Sequence, residues 1–167
     1  MAKLRHIAIQ CEDHVATAEF FKEVFGLEEM YRIDNPGTAG GAIYLSDGTI
    51  NLAILKIVDP DFPNYRPMGL NHIGFIVEDL DDAVAKAKAH GARTTMAGDE
   101  VVPGQLWEFK MESPEGVGLD LYDVHGRGWP GISGLEDLGV AGRITADDHE
   151  KAQALAGGVA TSGRETR

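Results

Sequence analysis

The chain has 167 residues and a net charge of −12, from 15 Lys and Arg against 27 Asp and Glu. That length is one ordinary domain or two small modules, long enough to bury a core without disulfide or zinc staples. The charge repels phosphate backbones and anionic lipid, which argues against nucleic acid and membrane partners, and a single cysteine rules out a disulfide framework or a multi-cysteine zinc cluster and suits the cytoplasm.

The N-terminal KLRHIAIQC (3–11) is β-rich and alternating, and Lys3, Arg5 and His6 break its apolar run, so it reads as a strand and not as a signal peptide or a membrane span. Asp13 then caps a helix with Val15, Ala18, Phe21, Val24 and Phe25 at helical spacing, ended by Gly26. LEEMYRI, AIYLS and TINLAILKI read as three strands, with a glycine-rich break at NPGTAGG and a turn at Asp47-Gly48. Residues 1–57 are therefore a β-α-β-β-β module. The glycines at 37, 40 and 41 form a cleft loop and not a phosphate cradle, because no helix follows them.

VDPDFPNYRPMG (58–69) carries three prolines and reads as a linker, since proline suits neither helix nor central strand. The pattern then restarts. LNHIGFIVE is a strand, Asp79 caps the helix LDDAVAKAKAHG, and ARTTMA, QLWEFKMES and VGLDLYDV are strands, the last two joined at Ser113-Pro114-Glu115-Gly116. Residues 70–124 form the second module. At an offset of 66, LRHIAIQCED and LNHIGFIVED share five of ten residues; at an offset of 69, Ile50-Asn51-Leu52 lies over Leu119-Asp120-Leu121. The tail, 125–167, holds loops and one short helix from Thr145, and is expected to lie across the modules or a partner, anchored by Trp129 and Ile132, or else to be mobile.

Alternation sorts each strand into two faces. Ile7, Ile9, Ile73, Phe75 and Val77 belong under the helices, with Ile50, Leu52, Ile54, Leu119 and Leu121. The opposite face then carries His6, Asn51, His72 and Asp120, with small Ala8, Ala53 and Gly74 beside them. Two histidines at repeat-equivalent positions and a carboxylate have the composition of a divalent metal site with open positions. Tyr44 and Tyr122 project to the same side, where they either orient a substrate or pack. Trp107, Phe109 and Met111 alternate as core against Glu108, Lys110 and Glu112, and Glu108 is a reserve base. His14, His90, His125 and His149 read as surface residues, and Cys11 as an inert core thiol.

Paired β-α-β-β-β modules, a histidine in the first strand of each, FFKEVFGLEE and SPEGVGLDLYDV resemble the vicinal oxygen chelate superfamily over residues 3–124. It includes glyoxalase I, methylmalonyl-CoA epimerase, fosfomycin-resistance enzymes, extradiol dioxygenases and bleomycin-resistance proteins. The resemblance implies an α+β fold in which tandem βαβββ modules form one open, cup-shaped, eight-stranded sheet with helices on its convex face. It further implies one divalent metal per chain (Zn, Fe, Mn, Ni or Co) on His6, His72 and Asp120, with Asn51 at the remaining ligand position, and a homodimer. The implied activity is lyase or isomerase chemistry on a small substrate with vicinal oxygens, the metal acting as Lewis acid. Asn51 departs from the Glu, Gln or His usual at its position, and its amide cannot serve as a base. Two alternatives follow from the same resemblance. One is a non-haem iron dioxygenase of extradiol type, against which Lys110 stands where that branch has Tyr; the other is a drug-sequestering resistance protein, which needs no metal ligands.

Overall fold

Two aspartates begin the helices and two alternating strands pair at the centre of the sheet. In a computed structural model, residues 1–34, 40–61, 65–95, 108–123, 128–138, 142–145 and 147 are described. The first module runs β1 (Ala2–Gln10), α1 (His14–Phe25), β2 (Glu28–Asp34), β3 (Gly41–Ser46) and β4 (Asn51–Lys56). The second runs β5 (Gly69–Val77), α2 (Leu80–Ala89), β6 (Arg93–Thr94), β7 (Phe109–Glu112) and β8 (Gly118–Asp123). Strands β6 and β7 are shorter than the sequence pattern suggests; Trp107 and the residues 96–107 lie outside the described chain.

All eight strands form one mixed sheet in the order β2-β3-β4-β1-β5-β8-β7-β6. Strands β1 and β5 meet antiparallel at its centre, and each pairs in parallel with the last strand of its own module, β4 and β8. The order is a palindrome of the two modules, which is what tandem copies related by a local two-fold produce.

The helix side holds two separate cores. Ala18, Ile43, Leu45 and Ile54, with Ile9, Phe21 and Leu52, pack under α1; Leu80, Val84, Phe109, Met111 and Leu121, with Phe75 and Val77, pack under α2. Helix α1 buries less than its spacing predicts. Ala18 and Phe21 face the sheet, whereas Val15, Phe20, Val24 and Phe25 remain exposed, Phe20 and Phe25 edge to face with ring centres 5.8 Å apart. A third core lies on the opposite face of the sheet, where the C-terminal residues Trp129, Ile132, Leu135, Leu138 and Ile144 close over Ile76 and Tyr122. Among the described residues no helix is long and apolar enough to cross a membrane.

Candidate functional site

The central pairing brings His6 and His72 together. His6 lies opposite Gly74, and Ala8 opposite His72, so two imidazoles two residues apart along the strands share a single patch of sheet. Their Nε2 atoms are 3.1 Å apart. Both rings are buried, and the Asp120 carboxylate beside them is buried as well, its Oδ2 standing 3.0 Å from His72 Nε2.

The register corrects the pairing of the last strands by sequence offset. Asn51 pairs with His6, but His72 pairs with Gly118, and Asp120 pairs with Gly74. With His6 equivalent to His72 and Ala8 to Gly74, the position equivalent to Asp120 is Ala53, and Asn51 is equivalent to Gly118. Matching Asn51 to Asp120 on similar flanking residues is thus displaced by two residues, a slip that preserves which face each side chain takes. Asn51 consequently lies on the far side of His6: its Oδ1 accepts from His6 Nδ1 at 2.8 Å and its amide nitrogen donates to the Pro130 carbonyl at 2.8 Å.

These bonds set the histidine tautomers. Because the Asn51 oxygen can only accept, His6 Nδ1 carries the proton and Nε2 turns a lone pair to the site. Asn71 Oδ1 lies 2.7 Å from His72 Nδ1 and plays the same part there. Burial, followed by the neighbouring His72, lowers the His6 pKa to about 3, so this ring is neutral at ordinary pH.

The charged groups of the site come from β7 and β8. The Lys110 ammonium bonds both Asp120 Oδ2 and, at 3.0 Å, Glu108 Oε2. Trp129 Nε1 donates to Glu108 Oε1 at 2.5 Å. Burial pushes both carboxyls up, but Lys110, with help from His72 at Asp120 and from both histidines at Glu108, outweighs it and holds each below the usual carboxylate range. Burial likewise lowers Lys110, and Glu108 and Asp120 more than reverse it. Two carboxylates against one ammonium leave one excess negative charge.

Beside this cluster lies a cavity of about 240 Å³. His6, His72, Glu108 and Lys110 line it together with Tyr44, Ala53, Ala42, Leu55 and the Gly40-Gly41 segment. Gly40 must be glycine, since its φ is 78° and a Cβ there meets the Lys56 carbonyl oxygen at 1.5 Å. Burial raises the Tyr44 pKa, so its hydroxyl keeps its proton. Tyr122 does not line this cavity; it packs edge-on against Trp129 at 5.3 Å in the tail core, because the tail occupies its side of the cup. Of the remaining histidines, His14 stands against Gly41 at the cavity's edge, His90 caps α2, and His125 and His149 lie outside the described residues.

The donor chemistry fits a divalent metal. Two imidazole Nε2 atoms with their outer N–H groups held by amide oxygens, plus a carboxylate oxygen, are the usual oxygen-and-nitrogen set with its supporting bonds. Ligands about 2.1 Å from an octahedral ion sit roughly 3.0 Å apart, comparable with the 3.0 and 3.1 Å separations here. As placed, the three acceptor atoms stand in a row with His72 Nε2 in the middle, and among the described residues no three His, Cys, Asp or Glu side chains surround one metal-sized point. Sequence patterning sets Lys110 with Glu108 at the cleft edge but does not bring it onto Asp120, and it does not bring Trp129 into the site. Lys110 alternates with Glu108 in plain view, but its meeting with Asp120 depends on the β7–β8 register; Trp129 comes from a segment without strand or helix periodicity.

Residues 5–109 match the family described as Glyoxalase/Bleomycin resistance protein/Dioxygenase superfamily. The uncharacterized protein YaeR of Escherichia coli (strain K12) is 26% identical over 132 residues, covering 74% of this chain and 97% of YaeR. A structure of methylmalonyl-CoA epimerase in complex with methylmalonyl-CoA and NH4+ is 25% identical, with a TM-score of 0.55 over 74% of this chain and 94% of that one. A variant of Streptomyces coelicolor methylmalonyl-CoA epimerase, in complex with 2-nitronate-propionyl-CoA, is 26% identical, with a TM-score of 0.54 over 72% of this chain and 93% of that one. The match takes in both site histidines and the central strands β1 and β5 that bring them together, ending at the start of β7 before Lys110 and Asp120, and the chain belongs to the Glyoxalase/Bleomycin resistance protein/Dioxygenase superfamily.

Proposed function

We propose that the chain is a metal-dependent isomerase or lyase that moves a proton on a small substrate bearing vicinal oxygens. The observation that carries this reading is the meeting of His6 Nε2, His72 Nε2 and Asp120 Oδ2 beside a cavity whose wall also holds the ionised Glu108. The epimerase relatives support the reaction class. His6, His72 and Asp120 hold the metal, which supplies Lewis-acid polarisation of a substrate oxygen. Asn51 and Asn71 stand behind the two rings and keep their lone pairs aimed inward.

Glu108 is the group placed to accept the substrate proton, since it is anionic, lines the cavity and is fixed by Lys110 and Trp129. Lys110 balances part of the charge while Glu108 is anionic. Tyr44, protonated and lining the same cavity, orients the substrate, and Ala53 leaves room where the other module has Asp120. No membrane or nucleic acid enters this reading, and a homodimer is part of it on family grounds.

The test is elemental analysis of protein purified without chelator and offered Zn, Fe, Mn, Ni and Co. About one metal per chain is expected in the wild type, falling at least tenfold in His6→Ala, His72→Ala and Asp120→Ala. Absence of metal from the wild type overturns the reading, and equal retention in all three variants moves the metal elsewhere. Turnover of catechols that requires dioxygen replaces the isomerase assignment with the dioxygenase one.

A further inference from the structure

The segment 128–132 lies beyond the residues matched to the family, yet it touches three parts of the site at once. Trp129 is fully buried, and its indole is stacked on the His6 imidazole with ring centres 4.5 Å apart and planes 7° from parallel. The same indole donates its N–H to Glu108. One residue on, the Pro130 carbonyl accepts the Asn51 amide. That bond decides which way the amide faces, and so presents the Asn51 oxygen to His6 Nδ1.

The segment is itself pinned from both sides. Ser46 Oγ donates to the Gly131 carbonyl at 2.9 Å, Arg143 donates to the same carbonyl at 3.1 Å, and Gly131 N–H bonds Ile144 O at 2.7 Å. The sheet makes room for it at Gly74, where a Cβ meets the Trp129 ring at 2.5 Å. A segment serving only to cover apolar surface requires neither a parallel stack on His6 nor bonds to Glu108 and Asn51.

We propose that the C-terminal segment 128–132 is a positioning element of the active site, in which Trp129 fixes the His6 ring and the Glu108 carboxylate while the Pro130 carbonyl fixes Asn51. It also closes the Trp129 side of His6, so a ligand approaches from the side of Tyr44 and Gly41. This deepens, and rests on, the reading of His6 and His72 as the reaction centre. Trp129 acts through its neighbours and is a positioning residue.

The experiment compares wild type, Trp129→Phe and Trp129→Leu as full-length, metal-free proteins. Long-range proton–nitrogen correlations of the His6 ring report its tautomer, and competition with a chelator reports Zn affinity. Wild type is expected to show only the Nδ1–H tautomer. Trp129→Leu, which removes the stack, is expected to mix tautomers and bind Zn 10–100-fold more weakly, about the cost of losing a group that supports a metal ligand. Trp129→Phe, which keeps an aromatic face, is expected to rescue the tautomer and hold Zn affinity within about threefold of wild type, the mark of stacking rather than bulk. Wild-type tautomer and affinity in a folded Trp129→Leu overturn the proposal. A check that needs no variant is the Trp129 indole N–H signal of wild type, which is expected to shift as Zn is titrated in; an unmoved signal during Zn binding also overturns it. If wild type binds no Zn, the metal reading fails, while the tautomer comparison in metal-free protein still decides the role of Trp129.

Discussion

The two modules share a topology and divide the site unequally. The first contributes His6, Asn51, Ala53 and Tyr44, all neutral; the second contributes His72 with Asp120, Lys110 and Glu108, which carry every formal charge fixed around the cavity among the described residues. At the one pair of equivalent positions where a symmetric site has two acids, this chain has Asp120 and Ala53. The lesson is that a duplicated scaffold supplies a symmetric pair of histidines at its axis, and single side chains around them then make one half of the surroundings neutral and the other charged. Neutral side chains on the first half keep the cavity open beside groups that are costly to bury unless paired.

The largest break in this asymmetry is Lys110→Met. It leaves the Glu108 and Asp120 carboxylates without their shared cation, Glu108 keeping only its bond from Trp129. Removing one partner of a buried ion cluster costs about 3–5 kcal/mol, so chemical denaturation of the metal-free protein is expected to show a loss of that order. Zn, by restoring positive charge, is expected to recover more stability in this variant than in wild type. An unchanged denaturation midpoint shows that water already screens the cluster.

The first module's neutral histidine produces the next effect. His6 has a folded pKa near 3 against 6.5 unfolded, so the unfolded chain binds the extra proton and stability falls as pH drops from 6.5 toward 3. In metal-free protein, urea melts between pH 6.5 and 5 are expected to lose roughly 2 kcal/mol, a slope that His6→Gln flattens. Glu108 and Asp120, whose pKa values are lowered, contribute stability that is present above their ordinary carboxylate range and lost as pH falls through their folded values, so their part appears at lower pH. Asn51→Ala comes third. It strands His6 Nδ1–H and the Pro130 carbonyl, two buried groups, and is expected to cost about 1–3 kcal/mol by thermal melting.

Much of this asymmetry is written locally, and the rest is not. The face of every site residue follows from two-residue alternation, so His6, His72, Asp120 and Asn51 are legible on one surface. Register is a different matter. Asn51 and Ala53 are both concave-facing on β4, and only the hydrogen bonds to β1 decide which of them stands opposite Ala8 and therefore corresponds to Asp120. Lys110 meets Asp120 for the same reason, across a ladder whose phase no single strand encodes. Trp129 is legible as an anchor, but its partners His6 and Glu108 are set by how a nonperiodic chain crosses the sheet. Helix α1 shows the converse: Val15, Phe20, Val24 and Phe25 have core chemistry and remain exposed, because its contact with β3 and β4 is narrow enough for Ala18 and Phe21 to fill.

The smallest expected difference lies outside the site, in how the two modules start their helices. Asp13 accepts the Ala16 N–H and Asp79 the Asp82 N–H, each at 2.9 Å, so the caps are geometrically alike. Their surroundings are not. Helix α2 carries Asp81 and Asp82 in its first turn and Lys86 and Lys88 in its last, all complementing its dipole, whereas α1 has no acid in its first turn. Replacing either cap with Ala forfeits a bond worth about 1 kcal/mol. The isosteric Asp→Asn change keeps the bond and removes the charge, and there the modules are expected to part. Asp13→Asn should lose up to about 0.5 kcal/mol in low salt, since no other first-turn carboxylate faces the α1 dipole, while Asp79→Asn should lose less because two acids remain. Added salt should shrink the gap by screening it. Equal losses in low salt would mean that both caps work through their hydrogen bonds alone, and that the charge asymmetry between the modules begins at β7 and β8 and not at their helices.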